Sequence, residues 1–279
     1  VTCVEIVTHG AVSIVNAMVT FKGASLAVGF RTRVIAEPRD TITLSPDTPL
    51  VREAVYVSLH HLGEVRGVRV KVFSEIPPAK GLKSSSSVAV GTVAAVLHAF
   101  RYKPSITTIL RLAIEASYRA KVTVTGALDD ASACLLGGLT VTDNKMNRVL
   151  KRYTPRGLSA VVLIPEGERL SAEVDLSRLT LYRNLLTHAH TLALNREYLD
   201  AMNLNGIVCG HAFGIGLEEA TSALEAGASA ASISGKGPAV AALCRRSCIS
   251  SVVSALKKYG EVKILPIINR RYEVHRIEG

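Results

Sequence analysis

Between Val68 and Phe100 the chain changes character three times, and this succession constrains the fold more than any other stretch. Val68, Val70 and Val72 alternate with Arg69 and Lys71, the period of a strand with one buried face. The pattern stops at Pro77-Pro78, and Gly81, Lys83 and four successive serines, Ser84 to Ser87, follow. Val88 to Phe100 is then strongly apolar, which predicts a helix buried in the interior. A strand that turns through a glycine into the first turn of such a helix makes an anion site. The unpaired N–H groups of that turn point outward along the axis, and the helix terminus favours negative charge. Gly81 lets the backbone approach a phosphate closely, Lys83 adds positive charge, and serine hydroxyls can bond phosphate oxygens or reach a Mg2+ ion. The alternative is an ordinary serine-capped helix, for which one hydroxyl is sufficient. The segment is neither G-x-x-x-x-G-K-[ST], because Lys83 follows Leu82, nor G-x-G-x-x-G.

The first third of the chain reads as sheet. Strands are predicted over Cys3 to Thr8, Val12 to Val19 and Ser25 to Glu37, with Gly10 and Gly23 as turn or close-approach positions. Val51, Ala54, Val55, Leu59 and Leu62 recur at helical spacing and stop at Gly63. A second helix starts at Ser105, and Lys121 to Thr125 returns to strand character. The segment from Gly126 to Gly138 reads as a loop around a short apolar stretch, Ala131 to Leu136. The remainder reads strand, helix, helix, strand, helix, strand: Leu158 to Ile164, Leu181 to Met202, Ile207 to Glu225, Ala228 to Ser234, Pro238 to Leu256 and Val262 to Ile268, with a final strand at Tyr272 to Ile277. This order suggests an α+β sandwich with helices on one face of a sheet, and a domain boundary between Asp143 and Gly157 divides the chain into 1–150 and 151–279.

The 279 residues carry 33 Lys plus Arg against 23 Asp plus Glu, a formal charge of +10. Such a surplus attracts nucleic acid, anionic membranes or small anions. The basic residues are scattered, Trp is absent and the aromatics do not interleave with them, so the phosphate-tracking stripe of a nucleic-acid binder is missing. No apolar run approaches the length of a membrane span, so neither a nucleic-acid nor a membrane partner is expected, and a cytoplasmic location is. Five cysteines without a C-x-x-C pair read as reduced thiols.

Two further segments could carry chemistry. Ser232 to Leu243, SISGKGPAVAAL, follows a strand and reads as entering a helix at Pro238, either as a plain Gly-Pro helix start or as a second phosphate loop in which Gly235 and Gly237 permit close approach and Lys236 brings charge. Asp129 and Asp130 read as solvent-facing turn residues or as a sheltered carboxylate able to orient an acceptor hydroxyl, and the small apolar flanks Ala127, Leu128, Ala131 and Ala133, unexpected for a purely wet loop, suggest the second. Adjacent side chains diverge, so one of the two faces a given pocket. Asn16, in an apolar stretch, needs a partner or a ligand. No H-E-x-x-H pattern is present.

Together these segments resemble the GHMP kinase superfamily. IPPAKGLKSSS, from Ile76 to Ser86, looks like its phosphate loop, and Ser234 to Ala242 resembles its third, glycine-rich motif. The catalytic Asp of that family stands seven residues before the first Gly of a Gly-Gly pair, and counting back from Gly137 gives Asp130. HGAVSIVNA, GLKSSSS with Lys83 in the usual Gly position, GALDDASA and SGKGPAVAAL look like the archaeal-type shikimate kinase branch. The resemblance implies a ribosomal protein S5 domain 2-like N-terminal domain and a ferredoxin-like C-terminal domain, with ATP and Mg2+ as cofactors. It implies phosphoryl transfer to the 3-hydroxyl of the small-molecule substrate shikimate. It implies Asp130 as the catalytic residue. It assigns ATP binding to Pro78, Ala79, Lys80, Gly81, Leu82, Lys83, Ser84, Ser85, Ser86, Ser87, Gly235, Lys236 and Gly237. It assigns substrate binding to His9, Ser13, Asn16 and Asp129, and the metal to Ser85. Another small alcohol such as homoserine, or an S5-like RNA-binding or structural role, remains the alternative. One departure stands out: several family members have a Lys in the first strand motif that assists the Asp, and His9 to Asn16 contains none.

Overall fold

The computed structural model describes residues 3–166 and 176–277. Its first sheet has seven strands: β1 (Cys3–Val15), β2 (Lys22–Arg39), β3 (Thr43–Ser45), β4 (Gly67–Ser74), β5 (Leu139–Asp143), β6 (Arg148–Tyr153) and β11 (Glu273–Ile277). β2 is the spine. One edge of it pairs with β1 along most of its length, while the other is shared, β5 taking Lys22 to Leu26 and β4 taking Thr32 to Arg39. The final strand returns across the molecule to pair with β1. The second sheet, all antiparallel, runs β10 (Gly260–Pro266), β7 (Ser159–Pro165), β9 (Val240–Cys244), β8 (Ala230–Ile233).

Four helices cover one face of the first sheet. α1 (Pro49–Leu62) begins with Thr48 capping the Val51 amide and Pro49 in the first turn, and it ends at Gly63 in the left-handed region. α2 (Ser84–Ala99) is apolar nearly all round because it is enclosed by the sheet and by α1, α3 (Ile106–Arg119) and α4 (Leu128–Leu136). Ser105 caps α3 through the Thr108 amide at 3.0 Å. The opposite face of the first sheet, through Val12, Ile14, Leu26 and Val28, shares a core with Ala160, Val162, Ala241 and Leu243 of the second sheet. α6 (Arg183–Leu194) and α7 (Tyr198–Phe213) pack into that same core, and the short α5 (Leu176–Thr180) lies against α7. The alternate residues Val161, Leu163, Val240 and Ala242 meet α8 (Leu217–Glu225) and α9 (Ile249–Leu256).

Several sequence expectations are corrected. The second sheet is covered on both faces, not by helices on one. That double burial explains the largest error: Pro238 to Leu256 is not one helix but begins with β9, whose five residues are all buried and therefore lack the alternation that marks a half-exposed strand. The Ser232–Leu243 segment is accordingly a hairpin turn between β8 and β9, and Pro238 starts no helix. Leu181 to Met202 breaks at Asn195-Arg196-Glu197, and α7 stops at Gly214. Gly10 is no turn. β1 runs through it with a register shift between His9 and Gly10, and a Cβ there would meet the Phe30 Cβ at 2.9 Å. Lys121 to Thr125 is no strand, because it finds no neighbouring edge; Val122 and Val124 are exposed instead.

The two halves meet through a buried polar junction as well as an apolar one. Asn205 of α7, fully buried, accepts from the Asn16 amide at 2.8 Å and donates to Ser232 Oγ at 2.9 Å. Asn205→Ala strands the buried Asn16 amide, while Ser232 keeps its bond to the Ile233 carbonyl, so it should lower unfolding free energy by about 1–3 kcal/mol in denaturant titration. An unchanged midpoint would show that the junction contributes no net stability.

Candidate active site

A cleft of about 570 Å³ opens between the N-terminus of α2, the N-terminus of α4, the end of β1 and the β8–β9 turn. Ser13, Asn16, Ala79, Gly81 to Ser86, Asp129, Asp130 and Gly235 to Gly237 line it, together with the loop Lys121 to Thr125. Segments far apart in sequence thus converge on one site. A shallower groove of about 660 Å³ beside α1, lined by Asp40, Glu53, Tyr56, His60 and Arg66, lacks such a convergence.

α2 begins at Ser84, earlier than the apolar pattern alone predicts. Lys83 takes the cap position in the left-handed region, and no side chain caps the helix. The serine run is therefore not a cap. Ser84, Ser85 and Ser86 occupy the first turn, where amides have no intrahelical acceptor, and Ser85 is the exposed one. Ser87 turns inward to Thr8, hydroxyl to hydroxyl at 2.8 Å, and does not line the cleft. Pro78 is exposed outside the lining, and Lys80 donates to the Pro165 carbonyl at 2.9 Å, toward the second sheet.

The two glycine loops are tied to β1 and to each other. Ser13 Oγ accepts from the Gly235 amide at 2.9 Å and from Lys83 Nζ at 2.8 Å, while the Ser13 amide donates to Ser234 Oγ at 3.1 Å. Ser234 Oγ in turn donates to the Gly81 carbonyl at 2.8 Å. Gly81, at φ +78°, has no room for a Cβ, which would collide with the Ser234 carbonyl. Asn16 uses both ends of its amide within the protein, donating to the Gly235 carbonyl at 3.0 Å and accepting from the Met18 amide at 2.9 Å. His9 lies away from the cleft lining: it is buried, its ring nitrogens have no hydrogen-bond partner among the described residues, and burial lowers its pKa.

Asp129 and Asp130 open α4; they are on the first turn of a helix, not in a loop. Successive helical residues diverge, and here they reach different environments. Asp130 faces the cleft, where Ser25 Oγ donates to its Oδ1 at 2.7 Å and Lys83 Nζ stands 3.1 Å from the same oxygen. Asp129 is 4% exposed, accepts from Asn144 Nδ2 at 2.8 Å, and packs so tightly against Gly23 that a Cβ there would touch its carboxylate. Burial, and then the charge of Asp130, push Asp129 up to about 7. Ser25, Asn144, Ser234 and Asn205 were not singled out from the sequence. Their one signal was a polar residue in an apolar surround, the same signal that drew attention to Asn16.

The raised Asp129 carboxyl has a defined consequence for stability. The folded chain holds a proton between about pH 4 and pH 7 that the unfolded chain releases near 3.9, so this contribution is full below pH 4 and is lost as pH rises toward 7. Chemical denaturation from pH 4 to 8 should show the wild type losing roughly 4 kcal/mol at most relative to Asp129→Asn, whose profile lacks this component. Parallel profiles would contradict the assignment.

The N-terminal domain of the GHMP kinases matches this chain over residues 49–138. The shikimate kinase of Methanosarcina mazei is 35% identical over 260 residues, 90% of this chain and 88% of that protein. That of Methanothermobacter thermautotrophicus is 34% identical over 271 residues, covering 93% and 94%. Among solved structures, homoserine kinase from Cytophaga hutchinsonii superposes with a TM-score of 0.80 at 20% identity, covering 98% of this chain and 97% of that one. The mevalonate kinase of Methanococcus jannaschii gives 0.77 at 15% identity, covering 95% and 98%. The fold is that of the GHMP kinases, whose phosphate donor is ATP. The chain belongs to the GHMP kinase family, in its archaeal-type shikimate kinase branch.

Proposed function

We propose that the protein transfers the γ-phosphoryl group of ATP to the 3-hydroxyl of shikimate. The observation that carries this reading is the placement of Asp130 across the cleft from the first turn of α2, in a chain whose relatives spanning nine-tenths of its length are shikimate kinases. The amides and hydroxyls of Ser84 to Ser86 receive the triphosphate, and Lys236 adds positive charge on the facing turn. Asp130 orients the acceptor hydroxyl and accepts its proton as the oxygen–phosphorus bond forms and the bond to the ADP oxygen breaks. Lys121, at the cleft rim, suits an anionic acceptor such as a carboxylate.

A Mg2+ ion fits this site only as a nucleotide-borne cation. Among the described residues no group of three His, Cys, Asp or Glu side chains could hold a metal, but Mg2+ is commonly held by one or two side-chain oxygens plus phosphates. Ser85, exposed on the first turn of α2, supplies such an oxygen. When bound, the ion neutralises charge on the phosphates. Ser85→Ala should therefore raise the Mg2+ concentration needed for half-maximal rate with little change in thermal stability; an unaltered Mg2+ dependence would remove Ser85 from the metal site.

An acceptor screen with purified protein and Mg-ATP should give ADP release with shikimate far above that with homoserine, mevalonate or galactose. A larger kcat/KM for another alcohol would overturn the acceptor while leaving the kinase. Asp130→Asn should lower kcat by about 10²-fold or more with both substrates still bound, whereas Asp129→Asn should cost less. Near-wild-type kcat in Asp130→Asn, with chemistry rate-limiting, would rule out its catalytic role.

A further inference from the structure

Lys83 belongs to the phosphate loop by sequence position, yet its side chain leaves that loop. With only 7% of the side chain exposed, its ammonium lies 3.1 Å from Asp130 Oδ1 and donates to Ser13 Oγ at 2.8 Å. An ammonium has three N–H groups, so two are committed to protein acceptors on the Asp130 side of the cleft. The backbone is arranged to allow this. Lys83 sits in the left-handed region at the head of α2, which turns the side chain back from the helix, and Gly235 leaves a space in which a Cβ would press on Lys83 Nζ at 3.2 Å. The glycine of the β8–β9 turn therefore makes room for a lysine of the other loop.

Ser13 and Ser25 complete the geometry. They are register partners on β1 and β2, so their side chains share one face of the sheet. One receives the ammonium and the other donates to the carboxylate, and both hydroxyls press Lys83 and Asp130 together. Asp129, the Cys134 thiol of α4 and the Cys209 thiol of α7 also couple electrostatically to this pair.

From this arrangement we propose that Lys83 is a positioning residue that acts through Asp130: it holds the carboxylate aimed at the acceptor hydroxyl, instead of serving as a ligand of the triphosphate. The proposal rests on the kinase reading above. It supplies, from the phosphate loop, the basic partner that the first strand lacks.

The test is a double-mutant cycle between Lys83→Met and Asp130→Asn, using the acceptor that gives the highest wild-type turnover, with nucleotide affinity measured directly by calorimetry. Lys83→Met should lower kcat by about 10²-fold while the Kd for ADP changes less than about threefold, and in the Asp130→Asn background it should cost less than about threefold more. Multiplicative losses in the two backgrounds would overturn the proposal. So would a large loss of ADP affinity with kcat retained, the behaviour of a phosphate ligand. Should Lys83→Met alone fail to fold, the double variant leaves neither charge unpaired, and its rate against Asp130→Asn decides the question. Wild-type protein inactive with every acceptor would remove the kinase reading, and this proposal with it, before any variant is compared.

Discussion

Ser13 and Ser25 stand opposite each other on adjacent strands, and the two charged groups at the floor of the cleft are placed by them. The constraint is one of desolvation. A polar face in the middle of two long, buried strands must be matched hydrogen bond for hydrogen bond, or the strands lose more than their packing gains. The matching partners come from three directions: Lys83 from the head of α2, Asp130 from the head of α4 and the Gly235 amide from the second sheet. Satisfying two serines thus brings together the elements that a phosphoryl-transfer site requires.

The adjacent carboxylates of α4 are made chemically different by what surrounds them. Asp129 is enclosed by Gly23 and Asn144 and pushed up to about 7, so near neutrality it is partly protonated; Asp130, one residue on, has a cation and a hydroxyl donor. Protonating Asp129 leaves one negative and one positive charge at the cleft floor instead of two negatives and one positive. A pair of like residues is thereby divided into a carboxyl that supports the wall and a carboxylate that faces the cleft. Gly23 matters here because any side chain would displace Asp129 from its partner.

Local signals in the sequence were read correctly where local chemistry decides structure. The cap at Ser105, the stop at Gly63 and the turn-to-helix passage from Pro77 to Ser87 all depend on neighbours in the chain. Reading failed where burial on two sides erased alternation, as in Val240–Cys244, and where a strand-like run, Lys121 to Thr125, met no sheet edge. The site itself was half legible. Loop, Asp pair and second glycine turn were visible as segments, but Ser25 meets Asp130 across 105 residues and Ser13 meets Gly235 across 222. Such pairings are set by the register of β1 on β2 and by the docking of one sheet against the other. The inward turn of Ser87 and the outward course of Lys80 were hidden for the same reason.

The triphosphate belongs at the first turn of α2 and the acceptor hydroxyl on Asp130 within one cleft, and a crystal structure with a non-hydrolysable ATP analogue and shikimate tests that placement most directly. The γ-phosphate should lie against the amides of Ser84 to Ser86, with a shikimate hydroxyl about 3 Å from the Asp130 carboxylate and Lys83 still on that carboxylate. Shikimate bound elsewhere, or with no hydroxyl within reach of Asp130, would contradict it.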